Sequence, residues 1–515
     1  MLKPVLLSFG AFVVFSSQAY SQSTDTFNGV EPVAEARPIE LAYNAFIEAF
    51  NTGDREIYRQ FIVEWFDDEG QVAPSDIEAF SGEMFEVYRR LGSVEITSVE
   101  LNRDNIREAW VTGELTGGQS LILVQLGPDG TISGTGNTSG IRARRTVNRL
   151  DEVTPESLRA VLDPYFGALV EGDHFSGGAW VNIGDEVVYS FHGGDRDRRT
   201  GESISSDTLF NPASVGKMIT ATVVLSLVEE GTISLDDTIG DWIPDYPEPW
   251  ASGVTIANLL THTSGIELDN DDVFMSQLVD ARSISEMVEL QIEHVERVLS
   301  MNTFNPGQDF NYTNEGYILL GSIAEVASGE GFETLLQERV FLPAGMTRTF
   351  PTSRLEGQTN VAVPHSLTQN RGEGAFFEEV SALAGTDTGQ NWLDNGVAIP
   401  ASPVYSTGTD LIRFMTALMG GQLINNDMVE AMVSRIALRA NEDMFGLLEH
   451  QGLGIRIVNE YGVESFGHDG GVPGFRTKLY YYPDNDMTIL TWSNSEGALA
   501  PAHQHIEDLT AVRRQ

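Results

Sequence analysis

Apolar positions recur at helical spacing in three successive stretches near the start of the chain, then give way to strand-like runs. The spacing predicts helices over residues 38–51, 54–65 and 76–91. Leu41, Ala42, Phe46, Ala49 and Phe50 form the apolar set of the first, and Gly53 lies near its stop. Strands are predicted over 94–101, 107–116, 120–126 and 132–138, with Pro128-Asp129-Gly130 as the last turn. Three helices followed by an antiparallel sheet make a small α+β domain, placed at residues 37–140. A further helix is predicted over 155–171, then a hairpin over 178–183 and 187–191 turned at Gly184-Asp185. Residues 232–350 read mostly as helices and loops, and 351–400 as irregular. Strands return at 476–482 and 487–492, and a last helix is predicted over 501–513. Strands at both ends of a helical middle predict one antiparallel sheet closed by the two ends of residues 155–515.

The length of 515 residues calls for two or three domains. Residues 1–21 read as a secretory signal: Lys3 is the positive end, 5–15 the short apolar core and Ala19-Tyr20-Ser21 the cleavage site. Residues 22–36 and the arginine-bearing 141–154 read as linkers. The mature chain is expected to be exported, to periplasm or medium, with no membrane span once the signal is removed. The cysteine count is 0, which excludes disulfides, zinc–thiolate sites and cysteine nucleophiles. The net charge of −44 disfavours nucleic acid and anionic membrane surfaces as partners. Acids spread through the whole chain fit a salty habitat, where self-repulsion is screened.

Chemistry first surfaces in Phe210-Asn211-Pro212-Ala213-Ser214-Val215-Gly216-Lys217. Ser214 opens an apolar helical run through Ile219, Val223, Val224 and Leu227, with Gly231 as its stop. Lys217 lies one turn after Ser214, so the two side chains share a face. Lysine otherwise occurs only at Lys3 and Lys478; every other basic side chain of the Lys/Arg type is arginine. Arginine cannot give up its proton in a protein, whereas a desolvated lysine can. A serine hydroxyl activated by a nearby amine is therefore the expected chemistry.

Two later stretches complete a pattern: Phe310-Asn311-Tyr312-Thr313-Asn314, and Gly467-His468-Asp469-Gly470-Gly471 just before a strand. Together with the Ser-x-x-Lys they resemble the serine hydrolases related to class C β-lactamases, penicillin-binding DD-peptidases and esterases. Leu259-Leu260-Thr261-His262-Thr263-Ser264-Gly265, Pro343-Ala344-Gly345-Met346 and Ser406-Thr407-Gly408-Thr409-Asp410 support the resemblance. It covers residues 155–515 and implies a β-lactamase-like antiparallel sheet flanked by helices, with a helical subdomain. The preceding small domain loosely resembles the cone-shaped ketosteroid-isomerase-like fold, with Phe50-Asn51-Thr52-Gly53-Asp54 as a similar helix end. It carries no visible acid–base constellation and is expected to serve as an oligomerisation or docking module.

Position by position, the resemblance implies that Ser214 forms an acyl-enzyme while Lys217 and Tyr312 share the proton work. Asn314 would hold Lys217 and the substrate amide. The N–H groups of Ser214 and Gly471 would form the oxyanion hole, and His468, Asp469 and Gly470 would line the substrate. His468 is read as a second cation beside Tyr312, and His262 as structural. No metal or organic cofactor is implied. One departure bears on specificity: Asp469 stands where β-lactam-recognising relatives carry threonine. Its carboxylate should repel a substrate carboxylate unless Arg476 neutralises it. Neutral esters, or amides with an amino end, are the expected substrates. D-amino-acid peptidase or DD-carboxypeptidase action on cell-wall peptides is the alternative, and a penicillin-binding-like sensor with little turnover a third reading. Residues 267–303 and 351–400 are expected to wall the acyl pocket.

Overall fold

In the computed structural model, residues 37–66, 72–114, 119–139, 150–172, 175–266, 277, 281–298, 305–355, 357–367, 377–379, 397–440, 447–460, 462–472, 474–495 and 499–510 are described. The expected signal and first linker lie outside them, as do most of the second linker and much of both expected pocket walls. The chain divides into two compact units, Met1–Thr146 and Val147–Gln515.

In the first unit, α1 (Pro38–Asn51), α2 (Arg55–Phe66) and α3 (Pro74–Leu91) precede β1 (Val94–Arg103), β2 (Ile106–Gly113), β3 (Gln119–Leu126) and β4 (Ile132–Ser139). The strands form one antiparallel sheet in chain order. Helix α1 buries Ala42, Phe46, Ala49 and Phe50 as its spacing predicts, but Leu41 falls on the outer face and is 53% exposed. Tyr43 takes the inward position instead, and its hydroxyl donates to the Ile122 carbonyl at 3.2 Å, tying the helix to the sheet. Phe46, Phe50, Tyr58 and Phe61 continue that core.

In the second unit, α4 (Pro155–Glu171) leads into β5 (Gly177–Ile183) and β6 (Glu186–Gly193). Helix α5 (Gly216–Glu229) follows the nucleophile segment, and α6 (Glu315–Ser328) and α7 (Gly408–Met419) come later. The chain then forms β7 (Ala437–Ala440), β8 (Leu447–Gln451), β9 (Arg456–Glu460), β10 (Val463–Val472), β11 (Phe475–Tyr482) and β12 (Met487–Ser493) before α8 (Leu499–Thr510). These strands make one antiparallel sheet in the order β7-β8-β9-β10-β11-β12-β5-β6. Strand β12 pairs with β5 from Met487↔Ile183 to Ser493↔Gly177, which is the closure by the two chain ends that the pattern predicts. Strands β7 to β9 carry no clear alternation and were not expected. Each is short, and the pairing of β8 with both its neighbours defines them rather than local propensity.

Helix α5 is apolar on every side, and Gly216 through Leu227 are all buried. It is the central post of the unit. Gly231 ends the segment with a φ of 75°, as its position predicts.

Candidate active site

The nucleophile segment is held by local chemistry before it is held by packing. Asn211 Oδ1 accepts the Ala213 N–H at 2.7 Å and the Ser402 hydroxyl at 3.0 Å, folding the chain into a tight turn. Ala213 sits at a φ of 50°, a left-handed conformation unusual for alanine, directly before the serine. A single 3₁₀ turn, Ala213–Val215, then hands over to α5. Ser214 is half-buried between buried neighbours, so its hydroxyl remains reachable.

Lys217 has 0% exposure. Its Nζ donates to Ser214 Oγ at 3.1 Å, to Asn314 Oδ1 at 2.7 Å and to the Ala401 carbonyl at 3.1 Å. The same atom lies 5.0 Å from the centre of the Tyr312 ring and 5.5 Å from that of Tyr317. The serine, amine, asparagine and tyrosine that the resemblance singles out therefore converge, from two segments about a hundred residues apart in sequence. Tyr312 keeps 36% of its surface exposed, whereas Tyr317 is fully buried, donates its hydroxyl to the Leu260 carbonyl at 3.1 Å and has its pKa raised by burial.

The third segment comes from β10. Strand β9 pairs with β10 only as far as Arg456↔Gly467, so residues 468–472 pair with β11 alone and offer a free edge among the described residues. That edge runs against the nucleophile turn: a Cβ on Gly470 would stand 2.0 Å from the Pro212 carbonyl oxygen. Gly470 is thus required by the approach of the protein's own backbone, whereas a Cβ on Gly471 would meet nothing closer than 3.4 Å. Ser214 and Gly471 lie on these two facing segments.

Successive side chains on β10 leave opposite faces. His468 is buried, and its ring centre lies 6.2 Å from that of Tyr312. It is not a second cation. Burial first, then the positive charges of Arg456 and Lys217, hold its pKa down at about 3, so the ring is neutral at neutral pH. Asp469 leaves the other face and forms a close ion pair with Arg456, with Lys478 Nζ at 3.6 Å. Arg476, the expected partner, instead donates to the carbonyls of Val472 at 2.6 Å and Phe475 at 2.9 Å. Burial opposes ionisation of Asp469, but Lys478 and Arg456 outweigh it and hold the carboxyl below its usual range. Arg456 also pairs with Glu449 at 2.7 Å, and Arg439 approaches Glu449 at 3.5 Å. Three cations against two carboxylates leave this cluster with a charge of about +1. The expected repulsion of a substrate carboxylate by Asp469 therefore loses its basis.

Three contributors escaped the sequence. Arg439 lies 4.3 Å over the Phe310 ring and 6.0 Å from that of Tyr312. Arg456 reaches Asp469 only through the β9–β10 register, and the Ala401 carbonyl has no side-chain signature at all. No local pattern marks any of them.

The family model described as Beta-lactamase matches residues 162–512. The chain belongs to the β-lactamase family. Within this family it is similar to a penicillin-binding protein of Bacillus subtilis, 27% identical over 373 residues that cover 68% of this chain and 76% of the relative. It is also similar to the esterase EstB of Burkholderia gladioli, 33% identical over 203 residues, 37% of this chain and 50% of the relative. The crystal structure of a penicillin-binding protein from Bacillus halodurans superposes with a TM-score of 0.56 at 23% identity, covering 67% of this chain and 99% of that one. The fold is thus the β-lactamase-like fold, and the chain is a serine hydrolase of this family.

Proposed function

We propose that this protein is an exported serine hydrolase that cleaves carboxylic esters or related amides through an acyl-enzyme. The observation that carries this reading is the buried Lys217 amine 3.1 Å from the reachable Ser214 hydroxyl. Ser214 Oγ forms a bond to the acyl carbon. Its proton passes to the Lys217–Tyr312 pair and on to the leaving alcohol or amine. The N–H groups of Ser214 and Gly471 receive the developing oxyanion. Water then attacks the acyl carbon, returns a proton to Ser214 and releases the acid. Asn314 fixes the amine, and His468 and Gly470 shape the strand edge along which substrate lies. The pattern of residues 1–21 supports export, and no described helix is long and apolar enough to cross a membrane. The first unit serves as an accessory module for docking or self-association.

A second reading, peptidase action on D-amino-acid or cell-wall peptides, gains from the charge cluster. With Asp469 paired to Arg456 and Lys478, a peptide carboxylate meets no net negative field. Short p-nitrophenyl esters, D-alanyl amides and a chromogenic cephalosporin, assayed side by side, test both. Ester turnover that is lost in Ser214→Ala is expected, with less turnover of the other two. Preferential D-alanyl turnover would install the peptidase reading, and stoichiometric acylation without turnover would install a sensor. Asp469→Thr should raise acylation by penicillins at least about tenfold, because Arg456 keeps its pair with Glu449 but the loss of the Asp469 carboxylate raises the charge of the cluster from about +1 to about +2. No change would sink the account of Asp469.

A further inference from the structure

Of the groups that form or break bonds, His262 contacts Tyr312, which it holds from three directions. Its carbonyl accepts the Asn311 N–H at 2.8 Å, on one side of Tyr312. Its ring Nδ1 accepts the Thr313 N–H at 3.2 Å, on the other side. The ring itself lies against the Tyr312 ring, centre to centre 4.3 Å and inclined by 32°. His262 also adopts a φ of 55°, a left-handed conformation uncommon outside glycine, though histidine enters it more readily than most side chains.

We infer that His262 is a positioning residue that fixes the Tyr312 phenol for proton transfer, clamping the backbone on both sides of it and supporting the ring from beneath. This rests on the acyl-enzyme reading, in which Tyr312 shares the Ser214 proton. The chemistry of the clamp sets its requirements. A backbone N–H can only donate, so Nδ1 must be unprotonated and the ring proton must sit on Nε2. Complete burial, followed by the charge of Lys217, holds the pKa of the ring well below its ordinary value and keeps it in that neutral form. Phe310 packs edge-on against the same ring at 5.8 Å and Tyr317 lies at 5.1 Å, so the imidazole is wedged and cannot swing away. Tyr312 itself is partly exposed and has no such enclosure of its own.

Asparagine at position 262 puts its amide oxygen near the place of Nδ1, whereas glutamine carries its oxygen one bond further out, nearer the place of Nε2. His262→Asn, His262→Gln, His262→Leu and Tyr312→Phe should be purified beside the wild type. Steady-state kcat and KM on a p-nitrophenyl ester, and the thermal midpoint, are then measured for each. His262→Leu should lose about a hundredfold in kcat with KM nearly unchanged, the cost of a misplaced catalytic group. His262→Asn should regain at least about tenfold of that loss and His262→Gln should not, whatever their midpoints, because only the first restores the acceptor. If His262→Leu does not fold, the comparison of asparagine with glutamine decides alone. Equal kcat for the two amides would overturn the clamp, as would kcat losses that simply follow the midpoints. Full activity in Tyr312→Phe would instead remove the proton role of Tyr312 itself. An inactive Tyr312→Phe beside fully active His262 variants would remove only the clamp.

Discussion

At the scale of single residues, the site depends on groups whose environment sets their charge. His468 and His262 are both buried and both neutral, which has a consequence for stability in mild acid. In the unfolded chain an imidazole binds a proton below about pH 6.5. In the folded chain His468 refuses that proton until about pH 3. The stability this neutral ring contributes is therefore complete above about pH 6.5 and is lost progressively as the pH falls below it. The carboxylate of Asp469 works in a lower window, since its pKa is depressed and its stabilisation fades only below about pH 4. Urea unfolding at pH 7 and pH 5 should show that His468→Asn loses about 2 kcal/mol less than wild type across that interval. Parallel losses would show that His468 is not held neutral by the fold. The serine, the amine and the Tyr-x-Asn were legible from the chain because their chemistry is local: Ser214 and Lys217 are one turn apart, and Tyr312 and Asn314 share a loop. The partner of Asp469 was not legible. Arg456 is thirteen positions away and faces it only because β9 and β10 pair in one particular register.

At the scale of elements, one close approach organises the site: strand β10 against the turn that carries Ser214. Gly470→Ala would drive a Cβ into the backbone oxygen of Pro212, which cannot rotate away. A loss of about 1–3 kcal/mol in stability, with kcat reduced at least about tenfold, is expected from denaturant titration and ester kinetics. Gly471→Ala, one residue on, should fold within about 0.5 kcal/mol of wild type, because its Cβ has room. Similar destabilisation by both substitutions would mean that the turn and strand are not in this contact. Much of the element layout could be read directly. The helices and strands of the first unit, α4, the β5–β6 hairpin and the pair β11–β12 all carry strong periodicity, and the closure of the sheet followed from strands at both ends. Strands β7 to β9 could not be read, being short and mixed in pattern, and β10 is broken by Gly467, Gly470 and Gly471. Their identity comes from pairing partners that a single stretch of sequence does not contain. Helix α5 was recognised as apolar, but the spacing of four residues suggested one buried face, whereas the whole helix is enclosed.

At the scale of the molecule, the charge of −44 dominates everything outside the site. Like charges within a folded unit repel, and salt screens that repulsion over a distance of about 10 Å at 0.1 M. The thermal midpoint should rise steadily as sodium chloride is increased from low concentration toward about 1 M. A flat or falling midpoint would mean that the acids are balanced locally by ion pairs such as Arg59–Glu78 and Arg435–Glu464. The central claim, that Ser214 becomes covalently acylated, is open to one direct measurement. The protein is mixed with a p-nitrophenyl ester whose acyl group is released slowly from the serine, quenched in acid and weighed intact, and then cleaved with trypsin. Cleavage after Arg199 and Lys217 isolates residues 200–217. The account predicts one acyl mass on the whole protein, located at Ser214 within that peptide and absent from Ser214→Ala. Turnover of the ester with no adduct on that peptide, or an unchanged adduct in Ser214→Ala, would contradict it.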